Sequence, residues 1–180
     1  MLGVPRLKTP LRNFDMQGLH AAVDAARRAR ELSWTALMVE INKPFEGTPS
    51  IPISVSTVRG MRNKSSVTSA VVLQILRWLG RTPESFLSGS CAAPQASETL
   101  PEPGPGRILR FDTRAMHAAL DAERLKRSMK WKQVAEELPG FSESMLTNLA
   151  KGPLVGFPRV MLITQWLGRP AASFVRDHGR

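Results

Sequence analysis

Apolar residues recur at helical spacing in two distant stretches of the chain. Their positions are Leu19, Ala22, Val23 and Ala26 in the first stretch, and Met116, Ala119 and Leu120 in the second. Residues three or four apart lie on one face of an α-helix, so each stretch predicts an amphipathic helix. Asp15 and Asp112 precede these helices and suit the N-cap position, because a carboxylate there accepts the free N–H groups of the first turn.

The two helices begin two copies of one longer pattern. Residues 14–42 align with 111–139 without a gap and share 11 of 29 residues. Residues 56–87 align with 144–175 and share 10 of 32. The offset falls from 97 to 88, so the first copy holds nine extra residues between its matching blocks. A period of this length exceeds that of solenoid repeats, which indicates a duplicated small domain.

Each copy predicts five short helices, so the expected fold class is all-α with two tandem five-helix domains. In the first copy, residues 42–53 form a long turn, and apolar and polar residues alternate over Ile51–Val58 at its end. Pro49 and Pro52 interrupt this alternation, which predicts an extended loop or a short edge strand. The predicted parts are a basic tail (1–13), a first domain (14–87), a linker rich in Pro, Gly and Ser (88–106) and a second domain (107–180).

The second copy contains two short helices on either side of a glycine turn. Residues 131–138 predict an amphipathic helix that ends at Pro139 and Gly140. Ser142 then suits the N-cap of a helix over residues 143–151. This is the layout of a helix-turn-helix motif. The first copy has the same order, with Ser54 as the cap and the long turn in between.

The net charge of +10 is distributed unevenly. The first copy carries nine basic and six acidic residues, and residues 107–180 carry thirteen basic and seven acidic. Basic domains of this kind favour a polyanionic partner. No run approaches the 18 or so apolar residues of a membrane span. The single cysteine, Cys91, forms no internal disulfide and suits a reducing compartment, so we expect a cytoplasmic, nucleoid-associated protein with no membrane partner.

The second copy resembles the lambda-repressor and Cro type of helix-turn-helix domain, the Xre family. The resemblance rests on RLKRSMKWKQVAEELPGFSESMLTNLAKG at 124–152 and QWLGRPAASFV at 165–175. The first copy is similar over 14–87. Both copies depart from the family at Trp34 and Trp131, where it often has a glutamine that contacts phosphate. The first copy also has Met38 where the family favours alanine.

The resemblance implies that the second motif helix enters the major groove of DNA while flanking residues hold the phosphates. The candidates that it implies for contact with bases are Glu143, Ser144, Thr147 and Asn148 in the second copy, and Val55, Ser56, Thr57 and Arg59 in the first. Those for contact with phosphate are Lys132, Gln133 and Lys151 in the second copy, and Arg62, Asn63 and Lys64 in the first.

Other residues have structural and functional interpretations that compete. His20 and Asp24 stand one turn apart, as metal ligands or a catalytic pair would, and recur as His117 and Asp121. No third ligand or nucleophile recurs with them, so we predict surface pairs hydrogen-bonded to Arg27 and Arg124. The other predictions are core packing for Trp78 and Trp166, and for Trp34 and Trp131 either packing or a partner contact. The basic tail (Arg6, Lys8, Arg12) predicts either a disordered segment or an arm in the minor groove.

The sequence therefore predicts a DNA-binding transcriptional regulator that binds double-stranded DNA with paired helix-turn-helix domains. The alternative is a protein-interaction or dimerisation module, similar to an antitoxin or an anti-repressor, in which one or both copies have lost base reading. A homodimer or a protein partner is compatible with either. No catalytic motif, metal site or cofactor site is predicted, so we do not expect an enzyme.

Overall fold

The structure is a computed structural model that describes residues 10–89, 97–152 and 156–178. Three residues singled out in the sequence lie outside these ranges, namely Arg6, Lys8 and Cys91. No helix among the described residues is long and apolar enough to cross a membrane.

Four α-helices form in the first copy. They are α1 (Met16–Ala29), α2 (Trp34–Asn42), α3 (Val55–Gly60) and α4 (Ser69–Leu79). Short 3-10 helices cover Lys43–Phe45, Met61–Asn63 and Pro83–Phe86.

The second copy repeats this order and adds two strands. Its elements are β1 (Ile108–Phe111), α5 (Thr113–Lys126), α6 (Trp131–Glu137), α7 (Glu143–Thr147), α8 (Val160–Leu167) and β2 (Val175–His178). Its 3-10 helices cover Leu149–Lys151 and Ala171–Phe174.

The all-α prediction is wrong, because β1 and β2 form an antiparallel sheet in which Phe111 stands opposite Val175. Pairing of this kind satisfies backbone groups where the chain enters and leaves the second copy. The first copy contains only the beginning of the same arrangement, an isolated bridge between Phe14 and Leu87. Each strand has only four residues, too few for the alternation of side chains to distinguish them from loops.

The predicted five-helix domains are also wrong. The segment expected to form the fifth helix is a four-residue 3-10 helix in each copy. The long turn at 42–53 begins with a 3-10 helix and contains no strand. Instead, the side chain of Asn42 donates to the Ile53 carbonyl and accepts from its N–H, both at 2.9 Å. This amide ties the end of the turn to the end of α2, so the turn needs no neighbouring strand.

Local features predicted from the sequence are confirmed in both copies. Asp15 caps α1 through the N–H of Gly18, and Asp112 caps α5 through that of Ala115. The backbone N–H of each aspartate donates to a 3-10 helix near the end of the same copy, at Phe86 O or Phe174 O. Ser54 and Ser142 cap α3 and α7 as expected.

The two copies share one hydrophobic core. The ring of Phe157 lies 4.9 Å from that of Phe14 and 5.9 Å from that of Phe111, measured between centroids. Its backbone also exchanges hydrogen bonds with Val67 at 3.0 and 2.9 Å. Gln74, which is fully buried, donates to the carbonyl of Leu109. These contacts place the first copy directly against the second.

Part of the predicted linker lies on the protein surface. Leu100 is buried, and the N–H of Gly106 donates to the carbonyl of Pro44 at 3.0 Å. Residues 97–106 of the predicted linker therefore run along the surface of the folded protein and contact it at Leu100 and Gly106.

Candidate nucleic-acid interface

The helix-turn-helix unit of the second copy is held by buried residues on both sides of its turn. Leu138 and Phe141 are buried on either side of Gly140, whose φ of 80° suits glycine best. Leu146 is fully buried and anchors α7 from below. The seam between α6 and α7 is thus apolar, and the opposite face of α7 faces solvent.

All four residues predicted to face bases in the second copy are exposed. They are Glu143, Ser144, Thr147 and Asn148. Two of them use donors within their own helix, because Thr147 Oγ1 and Asn148 Nδ2 both donate to the carbonyl of Ser144. Their acceptor oxygens remain available for a donor on a base edge.

Met145 also belongs to this exposed face and was missed by the sequence interpretation. It is 40% exposed, between the exposed Ser144 and the buried Leu146. The helical spacing of the apolar Leu146 and Leu149 was a signal that Met145 lies off the buried stripe.

The predicted phosphate contacts of the second copy lie at both ends of the motif. Lys132 is exposed in the first turn of α6, and Lys151 is exposed at the end of the 3-10 helix that follows α7. Gln133 has a structural role as well, since its Oε1 accepts the N–H of Lys130 at 2.7 Å and caps α6.

The corresponding residues of the first copy are more restricted. Ser54 Oγ lies 2.9 Å from both Ser56 Oγ and Thr57 Oγ1, so these candidates belong to the cap of α3. The Arg59 guanidinium lies 5.9 Å from the centre of the Trp34 ring. Val55, which is partly buried, packs against the core.

The three residues of the first copy predicted to contact phosphate, Arg62, Asn63 and Lys64, are exposed. The pKa of the His20 imidazole is lowered below its ordinary value. Burial is the main cause, and the guanidinium of Arg62 is the next largest. A neutral His20 reduces repulsion among the cations on this surface.

A cluster of aromatic and cationic groups recurs in both copies around Trp34 and Trp131. The Trp34 ring stacks on His20 at 5.9 Å and receives the Arg27 guanidinium at 4.6 Å. The equivalent distances from Trp131 to His117 and Arg124 are 5.3 and 5.0 Å. Trp34 and Trp131 therefore pack within their own copies while remaining partly exposed.

The aspartates beside these clusters have structural partners, as predicted. Asp24 accepts from Arg27 at 2.7 Å, and Asp121 accepts from Arg124 at 2.6 Å. The hydrogen bond from Arg27 is the main cause that lowers the pKa of the Asp24 carboxyl. Each arginine also donates to a backbone carbonyl five residues later. The aspartate thus orients an arginine that closes the loop after its helix.

The remaining tryptophans are buried, which confirms the prediction of core packing for Trp78 and Trp166. Each also has a polar partner that the sequence did not indicate. Trp78 Nε1 donates to Glu40 and Trp166 Nε1 donates to Glu137, both at 2.8 Å. These bonds tie the last long helix of each copy to the first helix of its motif.

Beside Lys151 lies an open pocket of about 420 Å³ that the sequence did not indicate. Its lining includes Arg110, Arg114 and Arg176, which β1, α5 and β2 supply. A signal was present in the repeat: positions 110, 114, 151 and 176 are all basic, whereas aligned positions 13, 17, 63 and 88 are all neutral. The role of these cations depends on their convergence, which sequence spacing does not reveal.

Comparison with known proteins gives no assignment. No family model, no curated protein and no solved structure matches the chain.

Proposed function

We propose that the protein binds double-stranded DNA as a transcriptional regulator, and that α7 of the second copy enters the major groove. The observation that carries the proposal is the exposed polar face of α7, which stands between two exposed lysines on a motif with an apolar seam. Phosphate contacts fix the position of a protein on DNA, and contacts to base edges give specificity. Both kinds of group are exposed on this motif.

Lys132 and Lys151 have the role of phosphate contacts in this proposal. Each removed phosphate contact lowers the slope of log K against log salt by about 0.9 for duplex DNA. We therefore expect Lys132→Ala to weaken binding to all duplexes alike and to reduce the salt dependence by about one unit. Lys126→Ala is the matched control, because Lys126 is an exposed lysine at the C-terminal end of α5 and lies outside the motif.

The exposed side chains of α7 have the role of base contacts. We expect Ser144→Ala to change the preferred sequence while the salt dependence stays the same, because base contacts carry little of the counterion release. The measurement is selection of bound duplexes from a random pool at physiological salt, for the wild-type chain and the variant. Groove docking by α7 is refuted if the wild-type chain enriches no sequence and Lys132→Ala binds duplex DNA as tightly as the wild-type chain.

A second candidate function, binding of a protein partner, has support in the first copy. Ile51 is 89% exposed in the long turn, and Val39 is 58% exposed on α2. The base-reading candidates beside them are engaged in the cap of α3. For this function we expect that Ile51→Asp abolishes association with the partner or with a second copy and leaves duplex binding intact. Sedimentation and pull-down measurements on the two chains distinguish the outcomes.

A further inference from the structure

The pocket beside Lys151 lies where four elements of the second copy meet. Its volume is about 420 Å³, within the range of ligand pockets. Arg110 comes from β1, Arg114 from the first turn of α5, Lys151 from the 3-10 helix after α7, and Arg176 from β2. Four cationic side chains thus surround a space large enough for a phosphate group and part of the molecule that carries it.

The pocket has an excess of positive charge. Asp112 is the one carboxylate among the described residues that line the pocket. It is already engaged, because it caps α5 through the N–H of Ala115 and accepts from Arg176 at 2.7 Å. The Ala115 N–H, more than Arg176, lowers the pKa of this carboxyl, so it remains charged. Arg110 Nε is buried with no hydrogen-bond partner among the described residues. Because a buried charged donor without a partner is costly, the site favours an anionic ligand.

The first copy provides an internal comparison. The residues aligned with the four cations are Asn13, Gln17, Asn63 and Ser88, all neutral. The backbone correspondence holds as well, because Ser88 N donates to Asn13 O at 2.8 Å where Arg176 pairs with Arg110 in the sheet.

The two positions on either side of Lys151 show the reverse exchange. The second copy has Ala150 and Gly152 in the lining, where the first copy has Arg62 and Lys64. In the second copy, these small residues leave the pocket open, and the four cations line it. The second copy thus has both an open space and cations that line it. In the first copy, long cationic side chains occupy the positions where the second copy has small residues.

We infer that this pocket binds a phosphate group. Arginine guanidinium groups bind phosphate oxygens in pairs of parallel hydrogen bonds, and three arginines with a lysine match a tetrahedral dianion or a diester better than a single carboxylate. The inference rests on the proposed function in one respect: because Lys151 follows α7 directly, the source that we favour is a backbone phosphate of bound DNA. A free phosphate compound has the same chemistry and is the other source.

The test uses the full-length chain and the replacement of pocket cations by their first-copy counterparts. The main variant is Arg114→Gln with Lys151→Asn, because both side chains are exposed and no described residue forms a hydrogen bond or ion pair with either one that would be lost. The second variant adds Arg110→Asn and Arg176→Ser. The control is Arg28→Gln with Lys126→Gln, which removes the same charge at the C-terminal ends of α1 and α5. Far-UV circular dichroism and thermal melting verify folding.

Two measurements are made on each chain. Calorimetric titration with inorganic pyrophosphate tests the pocket directly, and we expect the double variant to bind about tenfold more weakly or worse while the control matches the wild type. Duplex binding across a salt series tests the DNA source. A single phosphate in the pocket predicts that the slope falls by about 0.9 in the double variant.

The outcomes separate this inference from the proposed function. Pyrophosphate binding that the double variant loses, together with no duplex binding by any chain, supports the pocket with a free phosphate ligand and refutes the proposed function. Equal pyrophosphate binding and equal salt slopes for wild type and both pocket variants overturn the pocket and the phosphate role of Lys151, and leave DNA binding through Lys132 and α7 in place. A slope that falls by three units or more in the fourfold variant also overturns it, because the cations would then act as separate surface contacts.

Discussion

Phe157 joins the two copies of the repeat, and its removal tests whether they fold as one unit. The side chain is fully buried and its ring contacts Phe14 of the first copy and Phe111 of the second. Truncation of a buried phenylalanine to alanine costs about 3–5 kcal/mol, of which aromatic pairing contributes about 0.5–1.5 kcal/mol per pair. For a chain of this length, each kcal/mol lowers the melting temperature by about 2–4 °C, so we expect Phe157→Ala to lower it by about 6–20 °C.

The assay is urea unfolding followed by circular dichroism, with hydrogen exchange and mass spectrometry to follow the two copies separately. We expect one transition for the wild type, because a shared core makes the copies unfold together. Phe157→Ala is expected to separate the exchange of 14–87 from that of 107–178. The control is Phe45→Ala, which removes a buried ring of the first copy that contacts no ring of the second copy within the described residues. A loss below about 1 kcal/mol for Phe157→Ala, or separate transitions already in the wild type, would refute the reasoning.

Two further predictions concern buried or capping carboxylates. Burial raises the pKa of Glu84, although the N–H of Ala171 donates to its Oε1. Folding therefore favours the neutral form of this carboxyl. The stability that the neutral carboxyl contributes is present at acidic pH and is lost as the pH rises through the folded pKa. Glu84→Gln keeps an acceptor for the N–H of Ala171, whereas Glu84→Ala leaves that N–H unpaired at a cost of about 1–3 kcal/mol. We therefore expect Glu84→Gln to lower stability much less than Glu84→Ala. Thermal melting from pH 4 to 8 measures both variants, and equal losses of stability would contradict the role of Glu84 as the acceptor. The folded pKa of Asp112 is lowered, so its stabilisation is present above the unfolded value of 3.8 and lost as the pH falls through the folded pKa. Asp112→Ala should cost about 0.5–2 kcal/mol at neutral pH and little in strong acid, and an equal cost at both would indicate that the charge is irrelevant.

The sequence predicted the features that depend on neighbouring residues. The caps at Asp15 and Asp112, and the arginines that bond to Asp24 and Asp121, lie within one turn of their partners. Interactions at this range follow from helix geometry alone, so a repeated spacing predicts a repeated contact. The exposed face of α7 follows from the same periodicity.

Tertiary structure decided the contacts between distant parts of the chain. The β1–β2 pairing joins residues 64 to 70 positions apart. Phe157 packs on Phe14 across the repeat, and Arg110 and Arg176 reach the same pocket as Lys151. Each strand is too short to carry a pattern, and each cation is an ordinary surface residue when considered by itself. The repeat determined which local structures form twice. Packing decided how the two copies share a core and where the cations converge. Burial of apolar surface is non-directional, so it selects among arrangements that the local spacing of residues does not distinguish.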